Sequence, residues 1–181
     1  MLIRVEEIKP EGLVLDLEEL PEAFPALIEM NEDGNARFQG PIQIHLRIFR
    51  VQQMVEVEGR VSTMATFSCS RCLAKFDFPI EEEFACTFTR QLPEVYDEDN
   101  EEAELQAEDL GLILYEGDHI DLTEEIQEQV IMGLPVQPLC SEDCKGLCPT
   151  CGVDLNQDLC SCDRSEFSIK FSALKDFKVK E

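Results

Sequence analysis

Pro41-Ile-Gln-Ile-His-Leu-Arg-Ile-Phe-Arg50 alternates apolar and polar residues with a period of two. In an extended chain Ile42, Ile44, Leu46 and Ile48 share one face while Gln43, His45 and Arg47 share the other, the pattern of a half-buried strand. Two further runs repeat it, one marked by Val55, Val57, Val61 and Phe67, the next by Phe76, Phe78, Ile80, Phe84, Cys86 and Phe88. Residues 41–90 therefore predict antiparallel strands, and they assign Cys86 to the buried face as a small hydrophobe. Cys69-Ser-Arg-Cys72 falls between the second and third runs, at the tip of a long hairpin, where a tight turn interrupts no ladder.

Working outward, Leu2 to Ile8 and Leu13 to Leu17 read as short strands joined by the turn Lys9-Pro-Glu-Gly12, forming a hairpin or a sheet edge. Residues 18–36 carry Pro21, Pro25 and Asn31-Glu-Asp-Gly34 and read as a loop or short helical turn. Downstream, Leu112 to Tyr115 reads as a strand, and Asp121-Leu-Thr-Glu124 has the form of a capping box. It opens a helix over 122–133, with Leu122, Ile126, Val130 and Ile131 as its stripe and Gly133-Leu-Pro135 as its end. The resulting fold class is α+β: an antiparallel β-sheet core with one main helix and a zinc-binding, cysteine-rich C-terminal module. The division is a β-rich domain over 1–135 and a module with a tail over 136–181. In that tail Phe167, Ile169, Phe171, Leu174 and Phe177 suggest a segment docking its apolar side.

The stretch Cys140–Cys162 holds six of the nine cysteines. Cys148-Pro-Thr-Cys151-Gly has the form of a zinc knuckle, with two thiolates flanking a tight turn. Cys160 and Cys162 complete the tetrahedron, since residues two apart in an extended chain project to one side. Cys140 and Cys144 then remain for Cys69 and Cys72, which gives two structural zinc ions, each with four cysteine ligands. Disulfides are the competing reading, but Met1-Leu-Ile-Arg-Val-Glu-Glu has neither the basic start nor the apolar core of a signal peptide. Redox catalysis would need a thiol at a helix start, which neither Cys-x-x-Cys occupies. With just His45 and His119 as histidines, no catalytic constellation is recognisable, so the expectation is a protein that is not an enzyme.

A net charge of −24 opposes indiscriminate binding to a polyanion and favours a basic protein partner. Residues 91–110 hold nine acids and no Lys or Arg, a solvated negative strip. Against this background, residues 37–75 carry Arg37, Arg47, Arg50, Arg60, Arg71 and Lys75 with Glu56 and Glu58 as the opposing charges. The tail from Arg164 to Lys180 is basic as well. Such patches would let Arg47, Arg50, Arg71 and Lys75 touch RNA phosphate locally, although a solubilised sheet face explains them equally. No apolar run approaches the roughly 20 residues needed to span a bilayer, so the expected location is cytoplasmic.

Several of these segments together resemble the bacterial and plastid YceD-like family. They are Cys69-Ser-Arg-Cys72-Leu with Phe76, Ile120-Asp-Leu-Thr-Glu-Glu-Ile with Gly133-Leu-Pro135, and Cys140 to Cys162 with Lys145-Gly-Leu, Asn156 and the paired cysteines, then Ala173-Leu174. The resemblance spans Phe67 to Leu174 and implies a role in 23S ribosomal RNA accumulation and large ribosomal subunit assembly, with no enzymatic activity. It also implies a large-subunit precursor or a basic ribosomal protein as partner. A zinc-handling chaperone that supplies or protects a zinc-ribbon ribosomal protein is the alternative. Asp163-Arg-Ser-Glu-Phe departs from the fuller Asp-Pro-Arg type of motif that members often carry after the cysteines.

Overall fold

The computed structural model describes residues 1–34, 36–93, 107 and 110–162. Three long strands, β3 (Arg37–Val51), β4 (Met54–Ser68) and β5 (Lys75–Thr89), form the centre of a five-stranded sheet. Its edges are β2 (Leu13–Glu19) beside β3 and β6 (Leu112–Leu114) beside β5. The pairings are antiparallel except β5–β6, so the sheet is mixed where the sequence predicted an antiparallel one. The parallel partner arrives after the long segment beyond Thr89, a connection whose direction no local pattern announces.

The period-two reading of 41–90 is borne out. Ile42, Ile44, Leu46 and Ile48 are buried, as are Val55, Val57, Val61 and Phe67, with Ile80 and Phe88 on β5. Cys86 joins this face, and burial, with a contribution from Glu125, pushes its thiol up to about 12. β3 and β4 meet in a two-residue turn closed by Val51 and Met54, with Gln52 in the left-handed region. Across β4 and β5, Gly59 lies beneath the ring of Phe84, where a Cβ would come within 2.2 Å of it, so no larger residue fits.

Two helices cover the inner face, where the sequence predicted one main helix. α1 (Pro25–Glu32) buries Leu27, and α2 (Thr123–Met132) buries Ile126 and Val130. Within the stretch 18–36 that read as a loop or short helical turn, Pro25 stands at the start of α1, where its missing N–H costs nothing and its fixed φ suits the first turn. α2 packs on β4 and β5, within the limits predicted. Its capping differs from the expected box: Leu122 is the N-cap residue, and the Asp121 carboxylate accepts the Thr123 N–H at 2.9 Å.

The expected N-terminal hairpin does not form. β1 (Leu2–Arg4) pairs with β7 (His119–Asp121) in a separate two-stranded sheet, while β2 takes the edge of the main sheet, as the other half of that expectation held. Val5–Glu7 turns as a 3-10 helix, and Val5 and Ile8 turn inward to the core. No helix among the described residues is long and apolar enough to cross a membrane.

Candidate metal centres

The β4–β5 hairpin ends in the turn Cys69–Ala74, and the pairing of Ser68 with Lys75 brings the chain back in register. The Cys69 N–H donates to the Ala74 carbonyl at 2.8 Å, and the Leu73 N–H donates to the Cys69 carbonyl at 2.9 Å. Cys148–Val153 repeats this scheme: the Cys148 N–H donates to Val153 O and the Gly152 N–H to Cys148 O, both at 2.8 Å. Each turn needs a left-handed residue after its second cysteine, which is Leu73 (φ 63°) in the first and Gly152 (φ 74°) in the second. The two motifs are the same knuckle, built once on a hairpin and once in a loop.

Each knuckle is completed by two more thiols. Cys69, Cys72, Cys140 and Cys144 have all their Sγ atoms within 4.8 Å of one another, and so do Cys148, Cys151, Cys160 and Cys162. Individual separations are 3.7 Å for Cys69–Cys144, 3.6 Å for Cys72–Cys140, 3.5 Å for Cys151–Cys160 and 3.3 Å for Cys148–Cys160. These are too long for S–S bonds of about 2.05 Å. They are close to the ~3.8 Å edge of a tetrahedron whose corners lie about 2.3 Å from a central zinc. All eight cysteines singled out in the sequence are thus brought together, in the predicted two sets of four, and each set could hold a metal ion.

The electrostatics prepare each set for a cation. Backbone N–H groups hold the Cys69 thiol down at about 6, that of Cys140 contributing most, and those of Cys151 and Thr150 do the same for Cys148, also to about 6. Cys140 is pushed up to about 12, chiefly by sharing a proton with Cys72, and Cys162 to about 12, chiefly by sharing with Cys160. Cys69 and Cys148 are thus the thiols readiest to ionise in their sets, and a divalent ion displaces thiol protons as it binds. The sets differ in exposure. Each has one exposed cysteine, Cys140 in the first and Cys151 in the second, but Cys69, Cys72 and Cys144 are buried beside Phe76, Leu139 and Leu147, whereas in the second set Cys148 alone is buried.

Polar bonds fasten the C-terminal segment to the hairpin tip. The Ser70 N–H donates to Pro138 O at 2.8 Å, and the Leu147 N–H to Arg71 O at 3.0 Å. Gly146, at φ +73°, brings its Cα so near the Arg71 carbonyl that a Cβ would stand 3.0 Å from that oxygen. The Arg71 guanidinium forks onto the carbonyls of Glu142 at 3.2 Å and Cys144 at 3.0 Å. This role was not legible in the sequence, where Arg71 counted as a phosphate contact. Arg71→Met is expected to lower stability by about 1 kcal/mol in excess zinc, because it leaves both carbonyls without their donor. A denaturant midpoint equal to that of the unaltered chain would show that water satisfies these carbonyls as well.

The four basic residues proposed to meet RNA do not share one patch. Arg47 pairs with Glu58 at 3.1 Å and lies over the Phe49 ring, and its neighbour Arg60 pairs with Glu83 and Glu81. His45 meets Asp16 at 2.6 Å. Lys75 is opposite Ser68, ten residues along β4 from Glu58, the partner of Arg47, and so about 33 Å away. The neighbouring strand β5 thus sets two carboxylates against Arg60, one of the positive charges counted along 37–75. The acidic strip falls mostly outside the described residues, and the basic tail from Arg164 lies wholly outside them.

Comparison with known proteins matches residues 57–178 to a family described as large ribosomal RNA subunit accumulation protein YceD. A chloroplastic protein of Arabidopsis thaliana, named a YCED homolog for large ribosomal RNA subunit accumulation, is 28% identical over 144 residues, covering 70% of this chain and 45% of the relative. An uncharacterized protein of Mycobacterium tuberculosis is 31% identical over 114 residues, 63% of this chain and 51% of the relative. A chloroplastic YCED homolog of Zea mays is 22% identical over 151 residues, 72% of this chain and 52% of the relative. The chain therefore spans about half the length of the relatives it matches. No solved structure matches it significantly. The family match takes in β5, α2, the hairpin knuckle and all eight clustered cysteines, and on it the chain belongs to the family of the large ribosomal RNA subunit accumulation protein YceD.

Proposed function

We propose that this chain is a non-enzymatic factor in large ribosomal subunit biogenesis, supporting accumulation of 23S ribosomal RNA, and that its two sets of four cysteines hold structural zinc. Cys69, Cys72, Cys140 and Cys144 ligate one ion; Cys148, Cys151, Cys160 and Cys162 ligate the other. The observation that carries the zinc reading is that each set brings four thiols to tetrahedral spacing. The chain would then fill every coordination position and leave none for water or substrate, which suits a tie in the fold and not a reaction centre. The subunit reading rests on the family match.

The partner that best suits a chain of net charge −24 is a basic ribosomal protein, met on the large-subunit precursor. Direct contact with RNA through Arg47, Arg50, Arg71 and Lys75 is a lesser element of this reading, because Arg47 and Arg71 already have partners. Capture of the tagged chain from lysate, with and without ribonuclease, tests it. Large-subunit proteins should be recovered in both cases, and depletion of the chain should lower large-subunit RNA relative to small-subunit RNA. An unchanged RNA ratio, with no large-subunit component captured, would sink the proposal.

A second reading, a chaperone that supplies zinc to a zinc-ribbon client, is favoured by the second set, in which one cysteine is buried against three in the first. Metal lability separates the two. A structural site resists competition, whereas a donor releases its ion on contact with the apo client.

A further inference from the structure

The geometry points to Asn156 as the residue that couples the two metal centres: it belongs to the loop of the second and donates a hydrogen bond to a sulfur of the first. This inference rests on the proposal that both sets bind metal. Asn156 lies between Cys151 and Cys160, yet its Nδ2 is 3.4 Å from the Sγ of Cys144. Its amide orientation is fixed from the other end, because Oδ1 accepts the Lys145 N–H at 2.8 Å. That leaves the NH2 group to face Cys144 and the Asp154 carboxylate, the latter at 2.8 Å.

The backbone holds Asn156 in place only when the second loop is folded. The Asn156 N–H donates to Asp154 Oδ1 at 3.0 Å, the Leu155 N–H to Gly146 O at 2.9 Å, and Leu147 bridges to Asp154. Gly146 and Leu147 lie between the last ligand of the first centre and Cys148, the first ligand of the second. Closing the second tetrahedron through Cys148, Cys151, Cys160 and Cys162 therefore positions an amide against a ligand of the first.

The physical value of that bond follows from charge. Four thiolates around a divalent zinc leave a net charge of −2, here within a chain that is itself strongly negative. An N–H donor on sulfur spreads this charge and orients the ligand, and outer-shell partners of this kind are worth roughly 10–100-fold in metal affinity. Asn156 is a positioning residue in this account, since it acts on the metal through Cys144. Linkage then requires reciprocity: occupancy of either centre raises the affinity of the other by one and the same factor.

The test is a cobalt(II) and zinc competition titration on the full chain, with the centres assigned by Cys72→Ser and Cys151→Ser. Asn156→Asp keeps the oxygen that receives the Lys145 N–H but removes the donor to sulfur; Asn156→Ala removes both. Both variants should lose roughly 10-fold or more in affinity at the first centre, whose four thiolate ligands are untouched. The thiolate-to-cobalt band of that centre should also move to longer wavelength, because its sulfur has become a stronger donor. Cys151→Ser should weaken the first centre similarly, and adding Asn156→Ala to it should weaken it no further. If Asn156→Asp leaves the first centre unchanged, the bond to Cys144 carries no coupling; if Asn156→Ala leaves it unchanged, the effect of Asp is charge alone. Either result overturns the inference with the metal reading intact, whereas an unaltered chain that binds no metal overturns both.

Discussion

If each set of four cysteines holds zinc, Cys144→Ser should bind one ion per chain against two for the unaltered protein, and should release the segment 138–147 from the hairpin tip. Cys144 is 4% exposed, its Sγ faces Cys69, and its carbonyl receives the Arg71 guanidinium. A structural zinc site supplies about 10–16 kcal/mol of apparent binding free energy at neutral pH, far more than the few polar bonds at this junction. Around the first centre the supporting apolar mass is small: Ala74, Phe76, Leu139 and Leu147 are the residues packed on the buried thiols. Without the ion, the Ser70 and Leu147 amides should therefore lose protection from hydrogen exchange, while amides of the strands near Val55 and Phe88 keep theirs. Elemental analysis reading two zinc ions in the variant would disprove the pairing of Cys69 and Cys72 with Cys140 and Cys144.

Phe88→Ala should destabilise the β-rich part by about 3–5 kcal/mol, since it empties a large aromatic site in a packed interior. Phe88 is 2% exposed, opposite Val55 on β4 and Ile113 on β6, so its ring fills the place where the antiparallel and parallel halves of the sheet join. The expected signature is a lower urea midpoint with an unchanged slope. Zinc content under native conditions should stay at two. Along β4 the pair Val55–Phe88 is thirteen residues from Ser68–Lys75, about 43 Å from the hairpin tip. This makes the variant a test of the proposed division between residues 1–135 and 136–181: metal lost together with sheet stability would argue that they fold as one unit, and a cost below about 1 kcal/mol would mean that the site collapses around the missing ring.

How much of this was legible in the sequence depended on the range of the interactions involved. Period-two alternation is a property of the chain's own geometry, so the faces of β3, β4 and β5 and the placement of Cys86 followed from residues alone. The local knuckle followed for the same reason, because Cys148 and Cys151 are near neighbours whatever the rest of the chain does. The other set was reached by elimination, with Cys69 and Cys72 paired to cysteines about 70 residues away. Its convergence needed the hairpin to place a turn at its tip and α2 to return the chain there.

What failed was non-local, or depended on a residue of two meanings. Pro25 marks a loop when read as a breaker and a helix when read as a first residue, and the packing of Leu27 against the core decides between them. β1 found its partner in β7, more than a hundred residues away, which no turn signal beside it could indicate. The basic excess over 37–75 was a correct count along the chain, but charge acts through space. Asp16 arrives from β2, and Glu81 and Glu83 from β5, so the contact of His45 with Asp16 and the ion pairs of Arg60 exist only once the strands lie side by side. The sequence by itself determined which residues turn inward and which thiols stand in knuckles, since both depend on spacings of a few residues. Tertiary structure alone decided the strand order, the ion pairs of Arg60 and the position of Asn156 against Cys144, because each is a meeting of groups brought together from segments the chain separates.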